Sequence, residues 1–459
     1  MDYEYFKITR SLCPECGKIV QAKIVFENDC VYLLKHCPVH GESLALIYRD
    51  RETYLRNLRI NKPALYPLEF EKKYQGCPDS CGLCNEHQQH TCLPIIEITD
   101  HCNFKCPICI ADNRSSFFME PAEFKKIIER LVRTEGNLEL INLSGGEPTL
   151  HPQLTELLDI ALRQEILGVS ISTNGRLFLK KPELLAELLR RNIFISLQFD
   201  GFSDAYYQAL RGENLLDEKL KILEMLEKRN APSSLVMTVA RNANLKGISQ
   251  VLEFFLQKDF LRSIMFQPLS FANPGVKYDF QDVTTIQEVI AEIAAGSRGM
   301  IREEDIVSLP CSHPACFSLT YLLKLGQGEF IPLNRLAKAD DYLDLIKNRA
   351  MAGFELETYE KIRECIYDLW SSSGIQPESQ KILATIKKII CEVDGESSCE
   401  AGRLFSIAGS HVKSIFIHHF MDRHNFDLSR AMKCCTQYQI NGSGSYPCCV
   451  FNNLQRRGT

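Results

Sequence analysis

Between residues 94 and 269 short apolar runs recur along the chain, each followed by an amphipathic stretch. PIIEIT (94–99), LELINL (138–143), VSISTN (169–174), IFISLQF (193–199), SLVMTV (234–239) and SIMFQPL (263–269) are brief and rich in bulky or β-branched residues, the pattern of buried strands. Between them apolar residues return at helical spacing near 121–134, 152–165, 182–191, 215–229 and 247–258. The first of these opens on Pro121, a residue suited to a first helical turn. Strands alternating with helices in this way predict an α/β fold of parallel βα units. Six strands rather than eight point to a partial barrel, with an open doubly wound sheet as the alternative. Either architecture collects ligands at the C-terminal ends of its strands. Upstream, residues 1–50 read as a small β-rich unit and 51–93 as a charged, loop-rich linker. Downstream, 340–400 reads as mostly helical, with Trp370 and its aromatic neighbours as packing residues.

Composition adds one anomaly to this picture. At 459 residues the chain has room for about three units of roughly 150 residues. Lys and Arg number 53 against 58 Asp and Glu, a net charge of −5 that argues against a nucleic-acid partner. No apolar run is long enough to span a membrane. The opening MDYEYFKITR lacks the apolar core of an export signal, so a cytoplasmic protein is expected. Yet the chain carries 20 cysteines. In a reducing compartment, thiols at that density point to metal ligation and not to crosslinks.

The sharpest cysteine motif is HCNFKCPIC, directly after the first strand of the repeating region, with Cys102, Cys106 and Cys109. Its spacing wraps a short loop around a four-iron cluster and leaves one iron open, as a reactive site requires. A three-Cys zinc site completed by His101 is the bland alternative. After the second strand come Ser144, Gly145, Gly146, Glu147 and Pro148; the glycines permit close backbone approach, and Glu147 offers a carboxylate to an ammonium group. After the third strand come Ser172, Thr173, Asn174 and Gly175, small polar residues suited to a ribose or carboxylate.

A second copy of the spacing, Cys77, Cys81 and Cys84, follows no strand and has a fourth thiol nearby in Cys92. Four ligands saturate a cubane, so these predict an auxiliary 4Fe–4S cluster, or else a structural zinc. Near the start, Cys13 and Cys16 pair with Cys37 and His40 in two C-x-x-C/H-G turns. They resemble rubredoxin and zinc-ribbon knuckles, and His40 in place of a fourth Cys leaves zinc or iron open. Towards the C-terminus Cys311, Cys316, Cys435 and Cys449 are expected to form a further cluster capping the barrel, against a reading as simple buried thiols. Cys30, Cys365, Cys391, Cys399, Cys434 and Cys448 are then expected to be unligated. Residues 416–430 hold Asp422, His424 and Asp427; Asp427 stands where a cobalamin signature needs Gly, so cobalamin is rejected.

On the Cys triplet and the Gly-Gly-Glu-Pro loop together, residues 94–270 resemble the radical S-adenosylmethionine (SAM) superfamily. The resemblance implies a partial (β/α)6 barrel with a 4Fe–4S cluster on Cys102, Cys106 and Cys109, whose fourth iron takes the amine and carboxylate of SAM. Gly145, Gly146 and Glu147 match the segment holding the methionyl amine. Ser144, Ser172, Asn174 and Gln198 sit at matching strand ends, and Asn242 and Asn244 are expected near the adenosine. The implied chemistry is one-electron cleavage of SAM to a deoxyadenosyl radical that abstracts hydrogen from an unactivated carbon. The electron would come from a donor such as ferredoxin or flavodoxin.

The set of knuckle, auxiliary cluster and Cys-rich end resembles a narrower branch that includes the tetraether lipid synthases, once also assigned as pterin methyltransferases. That implies carbon–carbon coupling of lipid chains, two or three 4Fe–4S clusters, one mononuclear Zn or Fe, and transient contact with a membrane surface. No basic amphipathic helix stands out for such contact. The units are then 1–60, the metal knuckle; 61–93, the auxiliary cluster segment; 94–310, the barrel; and 311–459, a helical Cys-rich cap. The alternatives are methyl or methylene transfer to a pterin-like molecule, peptide modification, and a zinc-binding interaction module without redox chemistry.

Overall fold

The structure is a computed structural model that describes residues 2–71, 76–78, 82–111, 117–136, 138–272, 279, 282–350, 377–394, 409–440, 442 and 444–456. Cys81, Cys365, Trp370 and Cys399 lie outside the described residues. The first unit is an antiparallel meander of β1 (Glu4–Leu12), β2 (Ile19–Glu27), β3 (Cys30–Cys37) and β4 (Gly41–Tyr48) in sequential order. Asn28 and Asp29 both take positive φ between β2 and β3, the two-residue hairpin chemistry that matches strand twist. Alternate residues Ala22, Ile24, Val31, Leu33, Ala45 and Ile47 bury one face against Tyr54 of the helix Arg51–Arg59, which Asp50 caps by accepting from the Thr53 amide.

The six expected strands are β5 (Leu93–Thr99), β6 (Ile141–Gly145), β7 (Val169–Thr173), β8 (Phe194–Gln198), β9 (Ser233–Val239) and β10 (Leu261–Pro268). They pair in parallel in chain order, with helices Pro121–Glu135, Leu154–Ala161, Pro182–Arg190, Leu216–Lys228 and Ile248–Gln257 between them. This is the partial barrel, not the doubly wound sheet. Each strand alternates. Ile141, Leu143, Ile171, Ile195, Leu197, Leu235 and Ile264 join the apolar core under the helices. The intervening Asn142, Ser144, Ser170, Ser172, Ser196, Ser234 and Ser263 line the barrel interior. Barrels with branched residues at inward positions are packed solid; small hydroxyls there leave this one hollow.

The C-terminal region departs from the helical cap expected of it. Besides the helices Ala339–Ile346 and Pro377–Asp394, it contributes β12 (Phe317–Gly326), β13 (Glu329–Pro332), β14 (Val412–His418), β15 (Thr436–Ile440) and β16 (Gly444–Pro447), while β11 (Val307–Ser308) joins just before it. β14 pairs in parallel with β10, and β15 in parallel with β5, so both free edges of the six-stranded core are taken by C-terminal strands. The outer strands β12 and β16 are antiparallel to them. Unpaired edges expose backbone donors and acceptors, which gives this arrangement its physical reason. The segment 419–435 connects the two edges.

The meander docks on that segment. Lys35, buried, donates to the carbonyls of Arg423 and His424, and Thr9 donates to Asp427 at 2.6 Å. Among the described residues no helix is long and apolar enough to cross a membrane.

Candidate radical SAM site

A cavity of about 380 Å³ fills the barrel. Cys102, Cys106 and Cys109 reach its wall from the loop after β5, and Ser144, Gly145, Gly146, Glu147, Ser172, Asn174 and Gln198 reach it from the next three strand ends. The structure therefore brings these ten residues to one cavity.

The glycines are needed because two loops touch. The Gly146 amide donates to the Thr99 carbonyl at 2.8 Å, and the Glu147 amide to the His101 carbonyl at 2.8 Å. A Cβ on Gly145, whose φ is +122°, would stand 2.0 Å from the Thr99 oxygen; one on Gly146 would stand 2.3 Å from the His101 oxygen. The Gly-Gly-Glu turn thus grips the backbone immediately before Cys102.

Glu147 lines the cavity and also has a structural job. Its side chain is 1% exposed. One oxygen accepts from the Thr149 amide and hydroxyl and from Thr173, and the other from the Asn174 amide at 2.7 Å. Three donors on one oxygen and one on the other tie the second strand end to the third, and the second oxygen keeps acceptor capacity. Asn174 accepts from the Arg176 amide and donates to Asn103 inside the cysteine loop at 2.7 Å. Ser172 exchanges hydrogen bonds with Asn142.

Gln198 donates to Asp200, while its side-chain oxygen is buried with no partner and belongs to a residue lining the cavity. An orphaned acceptor beside three thiols fits a ligand carrying hydroxyl or amino donors. The thiols fit a cluster as well: the Phe104 amide donates to the Cys102 sulfur at 3.4 Å. Burial pushes the Cys102 thiol up to about 12, so deprotonation there awaits a metal.

Asn242 and Asn244 do not face this space. Asn242 is exposed and bonds Asp282. Asn244 is buried, where its amide bridges the Asp200 and Thr238 carbonyls and its oxygen accepts from Ala240. It fixes a turn.

Sequence reasoning missed the charged groups behind the cluster loop. Asp200, fully buried, binds Arg211 through two hydrogen bonds of 2.7 and 2.9 Å and accepts from the Thr238 amide. Arg211 also lies within hydrogen-bonding reach of the Cys106 sulfur. Lys219, buried, donates to the Asn174 carbonyl at 2.7 Å, and burial lowers its pKa to about 7. Arg176 lies 4.2 Å over the Phe104 ring. The available signal was a pair of opposite charges, Asp200 and Arg211, flanking one βα turn. Asp200→Asn should destabilise the protein by about 3–5 kcal/mol, because Arg211 would remain buried without its countercharge; a denaturation midpoint equal to that of the unaltered protein would contradict this.

The knuckle assembles as expected. The ligand atoms of Cys13, Cys16, Cys37 and His40 all lie within 4.8 Å of one another. His40 Nδ1 is 3.6 Å from the Cys13 sulfur and 3.5 Å from that of Cys37. Amide donors from Val39 and His40 lower the Cys37 pKa to about 6. Three Cys and one His in that compass fit a tetrahedral metal.

The other cysteines group differently from the expectation. Cys77 and Cys84 stay together, but Cys92 does not join them: its thiol lies within hydrogen-bonding reach of Cys311 and Cys435, with His90 Nε2 at 3.4 Å. β5 and β15 are neighbours, so Cys92 and Cys435, each one residue before its strand, are drawn side by side. The expected cap set is divided in consequence. Cys311 goes with Cys92, whereas Cys316, Cys435 and Cys449 line a small chamber together with Cys434 and Cys448, two of the thiols expected to be spare. Cys30 is half-buried and hydrogen-bonded to the Arg49 carbonyl.

Comparison with known proteins accords with this geometry. The sequence pattern of the Radical SAM superfamily matches residues 96–255, and that of the HMPTM N-terminal zinc ribbon domain matches 5–49. The fold and site are thus those of a radical SAM enzyme with a metal-binding N-terminal unit. More particularly, the chain belongs to the family of the 7,8-dihydro-6-hydroxymethylpterin dimethyltransferase of Methanocaldococcus jannaschii, to which it is 30% identical over 482 residues spanning 98% of this chain and 94% of that protein. The probable GTP 3',8-cyclase of Pyrococcus horikoshii is 31% identical over 163 residues, covering 35% of this chain and half of that one. The solved structure of SuiB of Streptococcus suis bound to S-adenosylmethionine aligns with a TM-score of 0.35 at 16% identity, over 42% of this chain and 43% of that one.

Proposed function

We propose that this radical SAM enzyme abstracts hydrogen from unactivated carbons of lipid chains and joins them through a carbon–carbon bond. The observation that carries the reading is the apolar part of the cavity lining. Leu93, Ile95, Val236, Met265, Phe416 and Phe420 form it, an apolar wall suited to an alkyl chain. Cys102, Cys106 and Cys109 would hold the 4Fe–4S cluster, which supplies the electron that cleaves SAM. A donor such as ferredoxin or flavodoxin is proposed to reload it.

The chain's own residues do the rest. The Gly145–Gly146 turn fixes the cysteine loop, Glu147 and Asn174 lock adjacent strand ends together, and Gln198 presents an acceptor to the nucleoside. Zinc is proposed for the knuckle, and auxiliary iron–sulfur centres for Cys77 with Cys84 and for the chamber containing Cys316 and Cys449. A second reading, methyl transfer to a pterin, is favoured by the name of the Methanocaldococcus jannaschii relative and by the serines of the inner wall.

The test is anaerobic incubation of the reconstituted enzyme with dithionite and SAM, offering lipid and dihydropterin separately. Coupled lipid two hydrogens lighter than the sum of its parts, with deoxyadenosine formed in step, is expected. Methylated pterin with untouched lipid would replace this reading by the second.

A further inference from the structure

The two edges of the barrel sheet meet across a seam. His418 ends β14 on one edge, Thr436 begins β15 on the other, and Phe420 stands between them with its ring 4.2 Å from that of His418. These three residues line the SAM cavity on one side and the cysteine chamber on the other. The chamber is therefore next door to the reacting space, separated from it by a single layer of side chains.

Arg430 projects into this chamber and is 1% exposed. Its Nε donates to the Cys316 sulfur at 3.2 Å, and Nη2 donates to the carbonyls of Ala315 at 2.8 Å and His419 at 3.3 Å. Among the described residues no carboxylate oxygen comes within 4.0 Å of its nitrogens, unlike Arg211 and Arg456, which pair with Asp200 and Glu97. Asp427, the nearest acid in sequence, spends one oxygen on Thr9 and Ser429 and leaves the other without a partner. His418 and His419 are no compensation: burial keeps both neutral.

A buried guanidinium with no carboxylate in contact is unfavourable, by several kcal/mol, and the charge of Asp427, acting from beyond ion-pair distance, offsets part of this. The chamber itself offers the missing negative charge. Cys316, Cys434, Cys435, Cys448 and Cys449 line it, and thiols become anionic when they ligate metal. The Met421 amide also donates to the Cys449 sulfur at 3.1 Å, as backbone amides do for ligating sulfurs.

We propose that Arg430 is the buried counter-cation of an iron–sulfur centre in this chamber, with Cys316 and Cys449 among its ligands, and that it raises the reduction potential of that centre. The inference rests on the auxiliary centre proposed above. A fixed positive charge beside a cluster favours the reduced, more negative state; removing it favours the oxidised state.

The experiment uses full-length reconstituted protein. Iron and sulfide are counted, and an electron paramagnetic resonance redox titration is run for Arg430→Met, Arg430→Lys and Cys316→Ala. Cys316→Ala should lose the iron and signal of one centre while keeping the SAM-site signal. Arg430→Met should shift that same centre to more negative potential, Arg430→Lys should shift it less, and the SAM-site centre should stay put. An unchanged potential in Arg430→Met, with the centre still lost in Cys316→Ala, would overturn the role of Arg430 and leave the seam centre standing. Full iron and an unaltered spectrum in Cys316→Ala would overturn the seam centre and the proposal with it. If Arg430→Met fails to retain the knuckle metal, Arg430→Gln, which also removes the charge, decides in its place, and an unshifted potential in it counts against the proposal.

Discussion

Cys102→Ala should abolish reductive cleavage of SAM, with deoxyadenosine falling to background, while the protein stays folded and keeps its knuckle metal. Cys102, Cys106 and Cys109 are the thiols that line the SAM cavity, and two thiolates do not retain a four-iron cluster with one open iron. The separation of the two effects follows from distance in the fold. Cys13, Cys16, Cys37 and His40 are held by the β1–β4 meander and, among the described residues, share no hydrogen bond with the cysteine loop after β5. Metal analysis of the variant should find the knuckle metal at full stoichiometry and iron reduced by one cluster. Residual cleavage above about a tenth of the wild-type rate would contradict the assignment, since losing a cluster ligand is not a graded defect.

The barrel was legible because its strands are short, apolar and evenly spaced, and because parallel pairing of consecutive βα units needs no long-range information. Only its boundaries shifted, as where LELINL at 138–143 yields β6 at Ile141–Gly145. What remained hidden depends on contacts between distant segments. Neither VKSIFIH (β14) nor TQYQI (β15) names its partner in sequence; that one pairs with β10 and the other with β5 is decided by the sheet edges waiting for them. The same pairing moved Cys92 from Cys77 and Cys84 to Cys311 and Cys435. Spacing predicts ligands within a loop, as for Cys102 to Cys109, and fails for thiols brought together by strand order.

Side-chain partners are hidden in the same way: Thr173 and Asn174 reach Glu147 from the next strand end, and the Cys316 sulfur and Ala315 carbonyl reach Arg430 across 114 and 115 residues of chain.

Gly146→Ala should cut SAM cleavage by about 100-fold or more, the loss expected when reacting groups are displaced by an ångström. The new methyl carbon would lie 2.3 Å from the His101 oxygen and 2.7 Å from the Asp100 oxygen. Both obstacles are backbone, so no side chain can swing aside. The turn cannot retreat either, because the Gly146 and Glu147 amides are bonded to the same stretch, at the Thr99 and His101 carbonyls. One of those hydrogen bonds must break, or the backbone leading into Cys102 must move; both carry the cysteine loop away from the Asn103–Asn174 bond that fixes its position. Overpacking of this kind costs about 1–3 kcal/mol, so the variant should still fold. Gly409→Ala is the matched control, since a Cβ there meets nothing within 4 Å. Gly146→Ala should therefore combine a near-normal melting curve with weakened SAM binding and lost cleavage, and Gly409→Ala should leave all three unchanged. Wild-type cleavage by Gly146→Ala would mean that the contact between the Gly-Gly-Glu turn and the cysteine loop does not position the cluster.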